Sequence, residues 1–390
     1  SHIYNQVGLY EHGVRANLEA IRQDVAYSRY KDPLGGNNFA YHGYRVHNHH
    51  MCTWGAMFNG NYDIAMRSAE DVYATTSPAM FREHLHYMEP YMADPWHVLV
   101  RFGRWGEILE RPLPCSTDPQ DRLNVGNTSV SGTASETETV YLVCTAFGHY
   151  AKGIANAALG LVEAARAHQT LFRAAVSRVP SDRVVHNVTS LESLAIAESM
   201  LCGEIDYRVG SYSSAFDHLR CCVSLEDRLP YDEPPGWMFP TRHALGALTL
   251  EQAQQCFETA FKVKRLCGNS SSLPDPPTAS TSATVSACCH GPGSEIDSDS
   301  NPTPDHDPDP IAIPDSISDL LDIGCEYLLE AITTYQLDLD HYTNNIWSLL
   351  GLKKCLLVIR SLREEYSCSS YSYHFPHICP IDIDNSYKVC

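Results

Sequence analysis

The sequence lacks long apolar runs and is poor in positive charge. The apolar segment around Leu349–Ile359 is interrupted by Lys353 and Lys354, and no stretch of the sequence approaches the roughly 18 apolar residues that a membrane-spanning helix needs. The 390 residues contain 28 Lys and Arg against 47 Asp and Glu, a formal net charge of −19. Phosphate binding needs concentrated Lys and Arg, and anionic membrane surfaces attract basic segments. We therefore predict neither a nucleic-acid nor a membrane partner.

The motifs of common enzyme classes are also missing. The chain has no G-x-S-x-G elbow, no P-loop, no G-x-G-x-x-G and no H-E-x-x-H, and no signal peptide is visible. The 15 cysteines are scattered from Cys52 to Cys390. Several lie within helical patterns, which favours buried free thiols in a reducing compartment over a disulfide framework. We expect a cytoplasmic protein and predict no catalytic residue and no cofactor.

One short pattern recurs along the chain. A glycine is followed two residues later by a bulky residue and three further on by a residue that is usually small. A glycine in the left-handed conformation ends a helix, the bulky residue packs as the next helix begins, and the small residue lets the two helices approach. Apolar residues at three- and four-residue spacing flank these turns, so the pattern predicts an all-α chain of antiparallel helix pairs. The turn glycines are Gly8, Gly60, Gly103, Gly160 and Gly210.

This pattern resembles the tetratricopeptide repeat, whose first helix follows W-x₂-L-G-x₂-Y. Trp347–Gly351 matches the first half of that consensus, and Gly153 and Gly203 each lie seven residues before a turn glycine, where the consensus places them. Stretches such as His149–Leu161 and Leu229–Leu248 are also similar to a group of uncharacterised tetratricopeptide-like proteins. The resemblance implies an α-solenoid, a superhelix whose concave groove is lined by the first helix of each pair, and it implies no reaction.

The spacing of the turns sets the domain organisation that we predict. The turn glycines lie 52, 43, 57 and 50 residues apart, against about 34 in the tetratricopeptide repeat, so long connectors separate the helix pairs. We predict a repeat domain over 1–267, a disordered acidic insert over 268–314, C-terminal helical repeats over 315–366 that complete the solenoid, and a disordered tail over 367–390. The insert is rich in Ser, Pro and Asp and contains no Lys or Arg, so it cannot bury enough apolar surface to offset the cost of ordering.

The densest group of chemically reactive side chains is the His-rich segment 41–54. On a helix His47 and His49 diverge by about 200°, so they do not converge on one ion, and we predict no metal site. Ligand contact and plain helix packing both remain open for this segment. A second group lies in the connector segment, residues 229–243, which carries two carboxylates, aromatic residues and a histidine. It fits either acid–base chemistry or a rigid linker that packs on neighbouring helices.

Two functions from different classes follow from these residues. The first is a protein-interaction scaffold that binds a peptide or a partner protein in the concave groove. The alternative is a small-molecule or metal-binding protein, possibly enzymatic, that uses the His-rich helix 41–54; it predicts that a histidine of this helix meets the connector segment. The sequence favours the scaffold and a non-enzymatic role. The candidate contact residues are Tyr41, His47, His50, Trp54, His149, Tyr150, Asp206, Tyr231, Asp232, Trp237 and Arg242.

Overall fold

The computed structural model describes residues 1–31, 39–74, 78–114, 141–267 and 316–366. These residues are mostly helical, and the only sheet among them is one short antiparallel hairpin. The all-α prediction is therefore confirmed. The predicted insert at 268–314 and the predicted tail at 367–390 lie outside the described residues.

The helices and strands are named in chain order. In the first part of the chain they are α1 (His2–Gln6), α2 (Tyr10–Lys31), α3 (Phe39–Phe58), α4 (Tyr62–Ala74), α5 (Pro78–Glu83), α6 (Leu85–Met88), a 3₁₀ helix (Glu89–Ala93), α7 (Asp94–Arg101) and α8 (Trp105–Glu110). They continue with α9 (Leu142–Ala158), α10 (Val162–Val176), β1 (Val184–Val185), β2 (Val188–Thr189), α11 (Ser190–Arg208), α12 (Tyr212–Glu226), α13 (Arg242–Cys267), α14 (Ile317–His341) and α15 (Ile346–Tyr366).

The five predicted turn glycines each end a helix. All five have a positive φ, from 63° to 85°, the left-handed conformation that a residue with a Cβ rarely adopts. The helices on either side of each turn pack together, forming the pairs α1–α2, α3–α4, α7–α8, α9–α10 and α11–α12. The glycine pattern therefore located the helix pairs correctly.

The last three helices depart from this pattern. Helix α13 runs through Gly246 without a turn and packs along α14. Tyr335 of α14 lies between Gly246 and Gly351 of α15, and a side chain on either glycine would overlap its ring. The three helices share a second core cluster next to the larger one formed by the preceding helices.

The last helix pair contacts the first part of the chain. The Trp347 indole donates a hydrogen bond to the carbonyl of Met57 (2.8 Å), and the guanidinium of Arg101 lies 3.7 Å from the centre of the Trp347 ring. Tyr342 packs on Phe58, with ring centres 5.2 Å apart. The α14–α15 turn therefore lies against helices α3 and α7. These contacts establish helix pairs and their packing, while the superhelical arrangement stays a prediction.

The connector segment lies against the first helices of two pairs. Its Trp237 is 1% exposed and packs on His97 of α7 and on Phe147 and Tyr150 of α9. First helices line the groove of a tetratricopeptide superhelix. Part of the surface predicted to form a groove is therefore covered by the chain itself.

Candidate functional site: a histidine cluster on helix α3

Helix α3 presents two histidines toward the 3₁₀–α7 segment and the β-hairpin. His47 and His50 lie three residues apart, so they occupy one face of the helix. Polar side chains from the 3₁₀ helix, the start of α7, the hairpin and the connector segment meet them there. We call the following six residues the histidine cluster: His47, His50, Tyr91, Asp94, His186 and Asp232.

The deepest pair of the cluster is His50 and Asp94. The Nδ1 atom of His50 lies 2.7 Å from the Asp94 carboxylate, and the two side chains are 2% and 3% exposed. The Tyr91 ring packs edge-on against the His50 ring, with centres 4.9 Å apart. Burial raises the pKa of Asp94, and the neighbouring His50 opposes that rise. The carboxylate fixes the orientation of the imidazole, because a buried acceptor needs its donor.

His186 joins the deep pair to the connector segment. It lies at the tip of the β-hairpin with φ of 46°, an uncommon conformation outside glycine that often marks functional sites. Its Nε2 is 2.8 Å from the Tyr91 hydroxyl and its Nδ1 is 3.2 Å from the Asp232 carboxylate. Burial by itself would raise the pKa of Asp232, but the adjacent His186 imidazole and hydrogen bonds from backbone N–H groups hold it below its usual value. Asp232 is therefore a carboxylate at neutral pH.

His47 occupies the outer side of the cluster. Its ring packs edge-on against His186, with centres 5.1 Å apart, and its Nε2 lies 3.4 Å from Nε2 of His2. Burial, assisted by the nearby histidines, lowers the pKa of His47 to about 3. The imidazole is therefore neutral at pH 7. Its Nδ1 is buried and has no hydrogen-bond partner among the described residues.

The rim of the cluster is formed by the connector segment and helix α1. Tyr231 is 74% exposed, and its hydroxyl donates to the Glu233 carboxylate. Glu233 also contacts the side chains of His2 and Gln6. Tyr231 therefore lies beside the cluster at the surface.

Three predicted contact residues lie away from the cluster. Tyr41 donates to Asp24 of α2 (3.0 Å), and burial raises its pKa to about 12. His149 faces His168 of α10, with their Nδ1 atoms 3.1 Å apart. Asp206 accepts a hydrogen bond from a serine of α12 (2.6 Å). Each of the three interacts with a neighbouring helix.

Four further predicted residues are buried. Trp54 packs against the aromatic side chains of α2, α3 and the α14–α15 turn, and Tyr150 and Trp237 pack against each other. Arg242 makes a bidentate ion pair with Asp227, in which the two guanidinium nitrogens lie 2.8 and 2.7 Å from the two carboxylate oxygens. None of these four is more than 8% exposed, so they support the fold around the cluster and offer a ligand little surface.

Sequence reasoning missed Tyr91, Asp94 and His186. The first two lie in a run of short helices, and the third lies in a hairpin turn, where the helical pattern that guided the choice of candidates gives no signal. These residues could have been found by listing the titratable side chains of the irregular segments, because functional side chains concentrate in such segments. The predicted meeting of a histidine of the 41–54 helix with Tyr231, Asp232 or Arg242 is replaced in these contacts by an indirect link: His186 packs on His47 and lies 3.2 Å from Asp232.

Two features are absent from the described residues. Within residues 1–31, 39–74, 78–114, 141–267 and 316–366, no three His, Cys, Asp or Glu side chains are arranged to hold a metal ion, and no helix is long and apolar enough to cross a membrane. Comparison of the chain with models of protein families, with curated proteins and with solved structures finds no match in any of the three. The resemblance to tetratricopeptide repeats thus stays a prediction.

Proposed function

We propose that this protein binds a small polar molecule at the histidine cluster. The observation that supports the proposal is the meeting of three histidines, two aspartates and a tyrosine from four separate segments at one place, beside an exposed rim. Plain packing favours apolar side chains at such junctions, because a buried polar group costs free energy unless it is hydrogen-bonded. Converging polar side chains, several of them with perturbed pKa values, are a common feature of ligand sites.

The charges of the cluster restrict the ligand. His47 is neutral at pH 7 and Asp232 is ionised, and the six residues include no Lys or Arg. An anion would therefore meet a carboxylate without a compensating permanent cation. The proposed ligand is a neutral or cationic molecule that carries hydroxyl or amino groups. The partly exposed residues His47, His186 and Asp232 can bind it, and the buried His50, Tyr91 and Asp94 lie behind them.

A thermal-shift screen tests this proposal. Small amines, polyols and amino alcohols are added to the wild-type protein, to His47→Asn and to the control His149→Asn, which removes a half-buried histidine from a first helix outside the cluster. A ligand at 100 times its Kd stabilises the folded protein by about 2.7 kcal/mol. Compounds that bind the cluster should raise the Tm of the wild-type and control proteins and leave that of His47→Asn unchanged.

Two results would contradict the proposal. The first is a set of hits that raise the Tm of His47→Asn as much as that of the wild type, because these compounds would bind elsewhere. The second is the absence of any hit for a folded wild-type protein across neutral and cationic compounds. Isothermal titration of each hit against the three proteins then gives the loss of affinity directly.

A scaffold role is a second candidate, favoured by one surface feature. Ile346, Leu350 and Leu357 of α15 are 37%, 45% and 46% exposed and lie on one stripe of the helix, which fits the face of a partner helix. If the stripe binds a partner, Leu350→Arg should remove specific proteins from a pulldown that recovers them with the wild type. Recovery of the same proteins by both would argue against it.

We also propose a tetratricopeptide-like superhelix and a cytoplasmic location. The five glycine turns, each between two packed helices, support the first. The cysteines of the described residues are free thiols, most of them buried or half-buried, which supports a reducing compartment.

A further inference from the structure

A small cavity lies directly behind the histidine cluster. Its volume is about 20 Å³, and a site for one buried water needs at least roughly 10–15 Å³. Helices α3, α7, α9 and α11, the 3₁₀ helix, the β-hairpin and the connector segment all contribute to its wall. The lining residues are His50, Pro90, Asp94, His97, Phe147, Val185, Ser190, Ser193, Gly236 and Met238.

Three of these residues have a buried polar atom without a partner among the described residues. They are His50 through Nε2, His97 through Nδ1 and Ser190 through Oγ, and the residues are 2%, 4% and 2% exposed. Ser193, by contrast, donates to the carbonyl of Gly236 (2.8 Å). Buried polar atoms in native proteins nearly always have a partner, often an ordered water. Three such residues around one water-sized cavity point to one shared partner.

The tautomer of His50 follows from its hydrogen bond to Asp94. Burial lowers the pKa of His97 to about 3, so that residue adds no charge to the cavity at neutral pH. With Asp94 as the acceptor, the Nδ1 atom of His50 is the donor, and the tautomer protonated on Nδ1 has a free lone pair on Nε2. The carboxylate therefore presents Nε2 of His50 as a hydrogen-bond acceptor.

We propose that this cavity binds one water molecule that donates to Nε2 of His50, with Ser190 and His97 as its other partners. A bare imidazole nitrogen, oriented by a carboxylate and within reach of a water, is the arrangement that a general base requires. Asp94 is then a positioning residue that acts through His50. The inference shares two residues with the proposed ligand site, but it holds without any ligand.

NMR of the full chain labelled with ¹⁵N in histidine tests the proposal without added ligand. At pH 7, His50 should show a protonated Nδ1 and an unprotonated Nε2, together with cross-relaxation between its ring and a long-lived water. Ser190→Ala should weaken that water signal at least twofold, because it removes one partner. His149 serves as the reference in the same spectra, because it faces His168 and has no carboxylate partner among the described residues.

Asp94→Asn separates positioning from packing. An asparagine amide can donate to Nδ1, so the proton of His50 should move to Nε2. The water should then either be lost from the ring or accept a hydrogen bond from Nε2 instead of donating one. A protonated Nε2 in the wild type, or a wild-type His50 ring with no long-lived water, would overturn the proposal. Because these spectra need no ligand, a failed ligand screen and a failed water site are distinguishable outcomes.

Discussion

Replacement of Asp338 should expose how strongly the last helix pair is fixed to the rest of the protein. Its carboxylate is 0% exposed and accepts hydrogen bonds from His243 (2.9 Å), Asn345 (2.9 Å) and Ser348 (2.6 Å). These donors come from α13, the α14–α15 turn and α15. Burial opposes ionisation, but the three donors hold the pKa of Asp338 below its usual value, so it is a carboxylate at neutral pH.

The magnitude follows from what the substitution leaves behind. Asp338→Ala removes one acceptor and leaves three buried donors without it. Each unsatisfied buried donor costs about 1–3 kcal/mol, and breaking a buried pair from one side costs about 3–5 kcal/mol in total. We expect a loss of about 4 kcal/mol of unfolding free energy. All three donors bond the same oxygen, Oδ2, so Asp338→Asn can keep that acceptor. It loses the charge and should lose about half of that free energy, because hydrogen bonds to a carboxylate are roughly twice as strong as those to a neutral oxygen.

Urea unfolding followed by circular dichroism measures both variants. For an m-value of about 2 kcal/mol per molar, 4 kcal/mol lowers the urea midpoint by about 2 M. Asp340→Ala, an exposed aspartate two residues away on the same helix, is the matched control and should change stability by less than about 0.5 kcal/mol. A midpoint for Asp338→Asn within the error of the Asp340→Ala midpoint would refute the reasoning.

Further substitutions test other parts of the structure. Burial lowers the pKa of His97 to about 3, so below about pH 6.5 only the unfolded chain binds a proton at this residue. The unfolding free energy therefore decreases as the pH falls, by up to about 1.4 kcal/mol per pH unit. In urea unfolding between pH 6.5 and 4.5, His97→Gln should lose less unfolding free energy than the wild type. A Cβ at Gly236 would lie 2.5 Å from the Val188 side chain, so Gly236→Ala should lower stability by about 1–3 kcal/mol. Gly43→Ala, in open space within α3, should raise it by about 0.5–1 kcal/mol in the same assay. Lys152 donates to the two carbonyls near the end of α8, at 2.9 and 2.8 Å, so Lys152→Met should lower the Tm by leaving them without that donor.

The helix pairs could be predicted because their signal is local. A turn that needs positive φ selects glycine whatever surrounds it, and all five predicted turn glycines have that conformation. The same locality explains α13: without a turn glycine after Gly246, the helix simply continues.

The composition of the site could be predicted only in part, because its contacts are not local. His47 and His50 were found through their density on one helix, and Asp232 through its place in the connector segment. Their meeting depends on His186, 136 residues after His50 in the numbering, in a hairpin with two-residue strands. Burial of Trp54, Tyr150 and Trp237 was likewise decided by tertiary packing, which the helical period alone does not specify.

Helix α3 connects the polar contacts of the last helix pair to the candidate site. Its C-terminal end packs on Tyr342 through Phe58 and receives the Trp347 hydrogen bond at Met57, while His50, two turns earlier, meets Asp94. A helix transmits a change of position along its axis because its backbone hydrogen bonds keep it nearly rigid. If the α14–α15 turn fixes α3, a folded Asp338→Asn protein should show broadened His50 signals as well as lower stability. Unchanged His50 signals in that protein would mean that the site is held by its own hairpin and connector contacts.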